Sequence, residues 1–190
     1  MALISVHRGF VCTCLPACLQ MSGSAVDASK PAKSTPPPAA PAPAPTCSVF
    51  LGGSCNPTTW RETIAIPSLE KNKITYYNPQ VKDWHEGLIR IEAENKEGAA
   101  CLLFVLDNET RAIASIGEAC FYMGDGRKVV LAIQYFDTKE LGSKPLDEIK
   151  DLNRGRTYVA DMAKMKNIPV FDDVKKAVDH IVTHRGDFGF

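Results

Sequence analysis

The stretch Ala100-Cys-Leu-Leu-Phe-Val-Leu-Asp107 is an almost continuous apolar run that ends at a carboxylate. Strands of a parallel sheet have this composition, because helices cover both faces of such a sheet. A strand with one face in water would alternate apolar and polar side chains instead. The run therefore predicts a central strand of a parallel sheet, with Asp107 at its carboxyl end.

Strand-like and helix-like patterns alternate on both sides of this run. Strand patterns are predicted at residues 48–51, 74–77, 100–106, 128–133 and 168–171. Helical patterns are predicted at residues 60–69, 84–97, 113–123, 145–166 and 174–182. Strict alternation of this kind favours a parallel sheet with helices on both faces. We therefore predict an α/β domain with five parallel strands.

The first 45 residues differ in composition from the rest of the chain. Seven of the 13 prolines lie between Pro31 and Pro45, among Ala, Ser, Thr and Lys. Proline fixes φ and lacks an amide donor, so this stretch favours an extended chain with nothing to bury. We predict a disordered leader and Pro/Ala-rich linker over residues 1–45 and a globular domain over residues 46–190. For residues 1–21, lipidation of a cysteine and organelle or secretory targeting are the alternatives.

The charge balance and the cysteines exclude several classes of protein. The chain has 22 basic and 22 acidic side chains, without the basic excess typical of proteins that bind nucleic-acid polymers. It contains no run of 18 apolar residues, which excludes a transmembrane segment. The seven cysteines form no paired metal-binding motif, so no metal site is predicted. Reduced thiols favour a cytoplasmic location, with the nucleus as the alternative.

Glycine and polar residues follow the predicted strands. The first strand pattern ends at Gly52-Gly53-Ser54, the second ends at Asn78, and the central strand ends at Asp107. Ligands of parallel α/β sheets bind beyond the carboxyl ends of the strands, where the strand order reverses. The double glycine offers backbone N–H groups to a phosphate or a sugar, while a simple tight turn is the alternative.

Glu118 is the strongest candidate for a catalytic side chain. It lies within two turns of the start of the predicted helix that follows Asp107, and small residues such as Ser115 precede it and leave room for a ligand. The preceding predicted helix carries Glu92 and Glu94. Two carboxylates at one crevice can act as nucleophile and acid when their environments differ. A pair of glutamates on solvated helix faces is the alternative interpretation.

Several motifs follow one another along the chain: Val49-Phe-Leu-Gly-Gly-Ser54, Asn78-Pro79, Leu103-Phe-Val-Leu-Asp107 and Glu118-Ala119. Together they resemble the nucleoside 2-deoxyribosyltransferase superfamily. A narrower set is similar to the animal deoxyribosyltransferase-like domain: residues 52–61, Tyr77-Asn-Pro-Gln80, Trp84, residues 110–115 and residues 151–156. The likeness covers essentially all of residues 46–190 and none of the leader.

The resemblance implies a flavodoxin-like, Rossmann-like three-layer sandwich that acts on a nucleoside or nucleotide. The implied activity is cleavage or exchange of the N-glycosidic bond of a 2′-deoxynucleoside or its 5′-monophosphate, through a covalent deoxyribosyl-glutamate intermediate. Glu118 matches the catalytic glutamate, and Glu92 matches the acidic residue that contacts the sugar. Asp107, at the end of the preceding strand, is the third candidate catalytic residue. No metal or redox cofactor is required.

The candidate substrate-binding residues come from the strand ends and the helices around them. They are Gly52, Gly53, Ser54, Trp60, Asn78, Arg111, Ser115 and Asn153. Sites of the family are often completed by a neighbouring subunit, so the resemblance also points to a homo-oligomer. Asn153 is then expected as an interface or ligand group.

The segment before Glu118 departs from the family pattern. Active members carry a segment like Asp-x-Gly-Thr there, whereas this chain has Thr110-Arg-Ala-Ile-Ala-Ser-Ile-Gly117. Arg111 offers a planar donor to a phosphate, which would favour a 5′-monophosphate substrate. The same change is compatible with a catalytically silent module that binds a nucleotide or a protein partner. A flavin- or phosphate-dependent enzyme of the same fold is the third interpretation.

Overall fold

Five parallel strands form the centre of the domain that the computed structural model describes, over residues 45–139, 142 and 144–190. They are β1 (Cys47–Gly53), β2 (Tyr76–Tyr77), β3 (Ala99–Leu106), β4 (Val129–Ile133) and β5 (Val170–Phe171). Their spatial order is β2-β1-β3-β4-β5, with every pair parallel. This is the flavodoxin-like order of a doubly wound sheet.

Helices connect the strands. A π-helical turn, Arg61–Ala65, continues into α1 (Ile66–Lys71), and the other helices are α2 (Leu88–Gly98), α3 (Ile113–Gly124), α4 (Leu146–Met165), α5 (Val174–Thr183) and α6 (Arg185–Phe188). No helix among the described residues is long and apolar enough to cross a membrane. The predicted leader over residues 1–45 lies outside the described residues, except for residue 45.

The two faces of the sheet bury different sets of side chains. On one face Phe104 of β3 packs with Ala119 of α3 and with side chains of α4. On the other face Leu103 of β3 packs with Leu69 of α1 and Ala177 of α5. Successive strand residues point to opposite faces, so the continuous apolar run of β3 supplies both cores. This explains why the run had to be apolar at every position.

The predicted α/β sandwich with a five-stranded parallel sheet is confirmed. The central strand is in the expected place, and the carboxyl ends of β1, β2 and β3 lie at the expected residues. β2 and β5 are each two residues long, whereas four residues were predicted for each. Three helices also differ from the prediction. The helix predicted over residues 60–69 begins as the π-helical turn Arg61–Ala65 and ends at Lys71. α2 begins at Leu88 rather than at Trp84, and the short α6 was not expected, because four residues are too few to display a helical period.

Gly53, the last residue of β1, is expected to tolerate no side chain. Its φ is 126°, and a Cβ at this position would lie 2.5 Å from the carbonyl oxygen of Val105. We expect Gly53→Ala to lower the free energy of unfolding by at least about 2 kcal/mol, because the strained φ and the clash add to one another. Urea unfolding followed by circular dichroism measures the change.

Gly117 of α3 is the matched control for Gly53. Beyond its chain neighbours and the backbone of its own helix, a Cβ at Gly117 would have no heavy atom within 4 Å. Because glycine weakens a helix interior, Gly117→Ala is expected to raise the free energy of unfolding by about 0.5–1 kcal/mol. Equal stability of the two alanine variants would contradict the backbone geometry described for Gly53.

Candidate active site

A cavity of about 620 Å³ opens at the carboxyl ends of β1 and β3. These strands are neighbours, and the helices that follow them, α1 and α3, pack on opposite faces of the sheet. The cavity therefore lies where the strand order reverses, the usual ligand site of such sheets. Its lining consists of Gly53, Ser54, Cys55, Trp84, Ile89, Glu92, Lys96, Ile113, Ala114, Ser115 and Glu118.

Glu118 and Glu92 reach this cavity from two helices and meet at one ammonium group. The Nζ atom of Lys96 lies 2.6 Å from Oε1 of Glu118 and 3.5 Å from Oε2 of Glu92, so these two carboxylate oxygens are at most about 6 Å apart. The Lys96 side chain is 4% exposed, whereas that of Glu118 is 39% exposed. The cation is thus buried, and the Glu118 carboxylate remains open to the cavity.

Lys96 is the site residue that the sequence pattern does not reveal. It is the single buried residue of α2, and its Nζ lies 5.0 Å from the centre of the Phe50 ring. The spacing of four residues between Glu92 and Lys96 is a signal for that ion pair. The pairing with Glu118, 22 residues away on α3, has no such signal because it depends on how the two helices pack.

Asp107 is linked to the cavity residue Ser54 through the hydroxyl group of Thr110. Its Oδ1 accepts hydrogen bonds from the backbone N–H groups of Glu109 and Thr110, at 2.9 and 2.7 Å. Its Oδ2 lies 3.2 Å from the Thr110 hydroxyl, which is 2.7 Å from the hydroxyl of Ser54. Ser54 lines the cavity and Asp107 does not. The carboxylate therefore holds the loop after β3 and the Ser54 hydroxyl in place.

The departure from the family pattern before α3 has a structural counterpart. Ala112 adopts the left-handed conformation, with φ 55° and ψ 31°, which is uncommon for a residue with a Cβ. Arg111 points to α4, where its Nε lies 2.7 Å from Oε1 of Glu148. The residues of this segment that line the cavity are Ile113 and Ala114, together with Ser115. Arg111 is not part of the lining.

Two fully buried arginines hold the loops around the cavity. Arg61 donates three hydrogen bonds to carbonyls at the end of β1, at 2.8–3.0 Å. Arg156 of α4 donates four, at 2.6–3.2 Å, to carbonyls after β3, after β4 and within α4. Burial lowers the pKa of both guanidinium groups from their ordinary value. The acceptors are the carbonyls of Leu51, Gly53 and Ser54 for Arg61, and of Asp107, Thr110, Gln134 and Leu152 for Arg156.

Gly52 and Trp60, two of the predicted binding residues, lie beside the cavity rather than in its lining. A Cβ at Gly52 would be 2.6 Å from the Phe104 ring. The absence of a side chain at Gly52 therefore lets the Phe104 ring pack directly against β1. The Trp60 side chain is buried, with the Arg61 guanidinium 4.3 Å from its ring centre. Both residues support the end of β1.

Asn78 and Asn153 also make contacts that hold the backbone. The Asn78 side chain accepts a hydrogen bond from the N–H of Gln80 at 3.0 Å. The Asn153 Oδ1 accepts a hydrogen bond from the N–H of Phe136, and its Nδ2 donates one to the carbonyl of Phe136, each at 2.9 Å. The predicted site residues that do line the cavity are Gly53, Ser54, Glu92, Ser115 and Glu118.

Cys55 adds a thiol, a potential nucleophile, to the lining. Burial raises the pKa of its thiol, with Arg61 opposing this and Glu92 and Glu118 adding to it. The thiol is therefore protonated near neutral pH, and a protonated thiol is a poor nucleophile. In the part of the chain that the structure describes, no three His, Cys, Asp or Glu side chains are grouped as a metal site.

Taken together, the fold and the site define a doubly wound α/β protein with paired carboxylates at the point where the strand order reverses. Residues 46–136 match the model of a family described as "Nucleoside 2-deoxyribosyltransferase like". The match confirms the resemblance to this superfamily, and the matched segment runs from β1 through β4 and includes Glu92, Lys96 and Glu118. The narrower likeness to the animal domain stays a prediction.

No curated protein matches the chain. A solved structure described as "Crystal structure of conserved protein from Enterococcus faecalis V583" is similar at 17% sequence identity, with 73% of this chain and 98% of that chain covered and a TM-score of 0.47.

Proposed function

We propose that the domain cleaves or exchanges the N-glycosidic bond of a nucleoside, with Glu118 as the nucleophile. The observation that carries this proposal is the open Glu118 carboxylate, held 2.6 Å from a buried ammonium at the strand ends. Glu92 is the second carboxylate. The upper bound of about 6 Å between their nearest oxygens is compatible with the roughly 5–5.5 Å separation of retaining glycosidases.

The reaction proceeds in two displacements. A carboxylate oxygen of Glu118 attacks C1′ of the sugar, the C1′–N bond breaks, and its electron pair leaves with the base, which takes up a proton from water. A water molecule or a second base then attacks C1′, the C1′–O bond pair returns to Glu118, and the attacking group loses a proton to solvent. Two inversions retain the configuration at C1′. Ser54, positioned by Asp107 and Thr110, contributes a hydroxyl group to the sugar.

Lys96 is the positioning residue for both carboxylates in this mechanism. We expect Lys96→Met to lower kcat by about 10²–10³-fold, since Glu92 and Glu118 then repel each other and lose their common ion pair. Lys96→Arg keeps the charge and is expected to recover part of the rate. Steady-state release of the base measures kcat and KM. A Lys96→Met enzyme with unchanged kcat would contradict this role.

A catalytically silent binding module is the second candidate function. The observation that favours it is the first turn of α3, which contributes Ile113 and Ala114 to the cavity and thus no acid or base. A module of this kind would bind a nucleotide-like ligand in the same cavity. Binding of a nucleotide without release of its base would support the binding module, whereas base release would support the enzyme.

Release of free base is the experiment that tests the proposal. The full chain is incubated with 2′-deoxynucleosides and their 5′-monophosphates, and free base is measured by chromatography. Release from at least one compound supports the glycosidic reaction. A ligand that raises the melting temperature while no base is released would replace the enzyme with the binding module.

A second copy of the chain is the proposed macromolecular partner. Large apolar side chains at the cavity are exposed, with Trp84 at 58%, Ile89 at 57% and Ile113 at 71%. Exposed apolar patches of this kind typically mark an interface. Sedimentation velocity tests the expected dimer or higher oligomer. The cytoplasmic or nuclear location stays a prediction.

A further inference from the structure

We infer that the cavity selects an N-glycoside whose base is a cation, such as a pyridinium nucleoside, with a free 5′-hydroxyl group. This inference rests on the proposed function and names the substrate class of that site. The sequence is compatible with nucleosides of neutral bases and with 5′-monophosphates. The inferred substrate class contains neither.

The charge of the lining favours a cation. The ionisable groups that line the cavity are two carboxylates, Glu92 and Glu118, one ammonium, Lys96, and the neutral thiol of Cys55. With two formal negative charges and one formal positive charge, the lining carries a formal net charge of −1. Because a partly enclosed site screens charge less than water does, this net charge attracts a cationic ligand and repels a phosphate.

The carboxylates near the cavity serve as hydrogen-bond acceptors, and the Lys96 ammonium is directed at two of them rather than at the open cavity. Glu118 and Glu92 both accept from the Lys96 ammonium, at 2.6 and 3.5 Å. Asp107 accepts hydrogen bonds with both oxygens and does not line the cavity. A neutral base must gain a proton as it leaves, whereas a ring nitrogen that is positively charged in the nucleoside needs none.

The contacts around the carboxylates fit an aromatic cation. Trp84 lies in the lining with more than half of its side chain exposed, and an indole face binds aromatic and cationic groups. Arg111, the candidate phosphate contact, is instead paired with Glu148 of α4. Lys96, the one cation of the lining, is 4% exposed and paired with two carboxylates.

The chemical step balances without an acid. The Glu118 carboxylate attacks C1′, and the electron pair of the C1′–N bond neutralises the positive ring nitrogen, so the base leaves as a neutral molecule. Water then attacks C1′, the C1′–O pair returns to Glu118, and the proton of the water goes to solvent. The only co-reactant is water.

The test compares matched ligands on the full chain. The probes for binding are the carbocyclic analogue of nicotinamide 2′-deoxyriboside, which is not cleaved, and its neutral dihydro form. Calorimetry at low salt is expected to give a Kd at least about tenfold lower for the cation, with the ratio shrinking as salt screens the charge. Glu92→Gln is expected to reduce the ratio. Glu94→Gln, an exposed glutamate of α2 outside the lining, is expected to leave it unchanged.

Turnover distinguishes this inference from the proposed function. Nicotinamide release from nicotinamide 2′-deoxyriboside is expected to exceed base release from 2′-deoxyinosine and from the 5′-phosphate of the pyridinium compound. Base release from neutral nucleosides without any preference for the cation would retain the proposed function and overturn this inference. Selective binding of the cation without release of nicotinamide would overturn the proposed catalysis. It would also overturn the inference that the cationic base is a leaving group. A preference for the phosphorylated compound would overturn the charge argument.

Discussion

Glu118→Gln is expected to lower the rate of base release by at least about a thousandfold, because an amide oxygen cannot replace a carboxylate as the nucleophile. The substitution keeps the shape of the side chain and removes its charge. The 2.6 Å contact with Lys96 becomes a hydrogen bond to a neutral amide rather than an ion pair. The loss should therefore appear in kcat. Steady-state release of base from the nucleoside or nucleotide that turns over fastest measures it.

The controls separate a chemical effect from unfolding. Glu94→Gln removes a carboxylate of α2 that is 64% exposed and paired with Arg90, so its rate is expected to stay within about twofold of the wild-type rate. Glu118→Gln removes one of the two carboxylates that meet the buried Lys96 ammonium, so some loss of thermal stability is expected, and circular dichroism checks that the variant is folded at the assay temperature. Wild-type turnover by Glu118→Gln would remove Glu118 from the proposed mechanism.

Arg156→Met is expected to lower the free energy of unfolding by about 3–5 kcal/mol, the cost typical of breaking a buried charged network. The guanidinium is fully buried and donates to four carbonyls at the ends of β3 and β4 and in α4. Methionine fills part of the volume and leaves these carbonyls without their donor. Urea unfolding with fluorescence detection measures the change.

Arg154 supplies the matched control two residues earlier in α4. Its side chain is 68% exposed, with a single 3.6 Å contact to Asp151. Surface substitutions of this kind are usually within about 0.5 kcal/mol of the wild type. If both methionine variants unfolded at the same urea concentration, the buried network of Arg156 would not be contributing to stability.

Glu118 illustrates how far local pattern predicts the site. The sequence places it in the second turn of the helix after the central strand, and the structure finds it in the cavity at the end of that strand. Its position near the strand end follows from local features, because strand ends and helix starts have their own periodicity. Its catalytic role stays a prediction. Ser54 and Ser115 were predicted for the same reason, and both line the cavity.

Asp107 and Arg111 illustrate where local pattern stops. Both have the chemistry of site residues, yet the Asp107 oxygens hold the loop after β3 and Arg111 pairs with Glu148, 37 residues away. The sequence shows which groups are near the strand ends. It does not show which partner each group finds, because that depends on side-chain directions and on the packing of distant helices.

The apolar run of β3 and the alternation around it determined the α/β fold by themselves, since a strand buried on both faces requires helices on both sides of its sheet. Only the tertiary structure decided the charge of the site. Lys96 looks like a surface residue of a polar helix, and it becomes the buried partner of Glu118 when α2 and α3 pack at the same cavity. The physical reason is that burial of a charge is favourable only when an opposite charge meets it, and that partner comes from another helix.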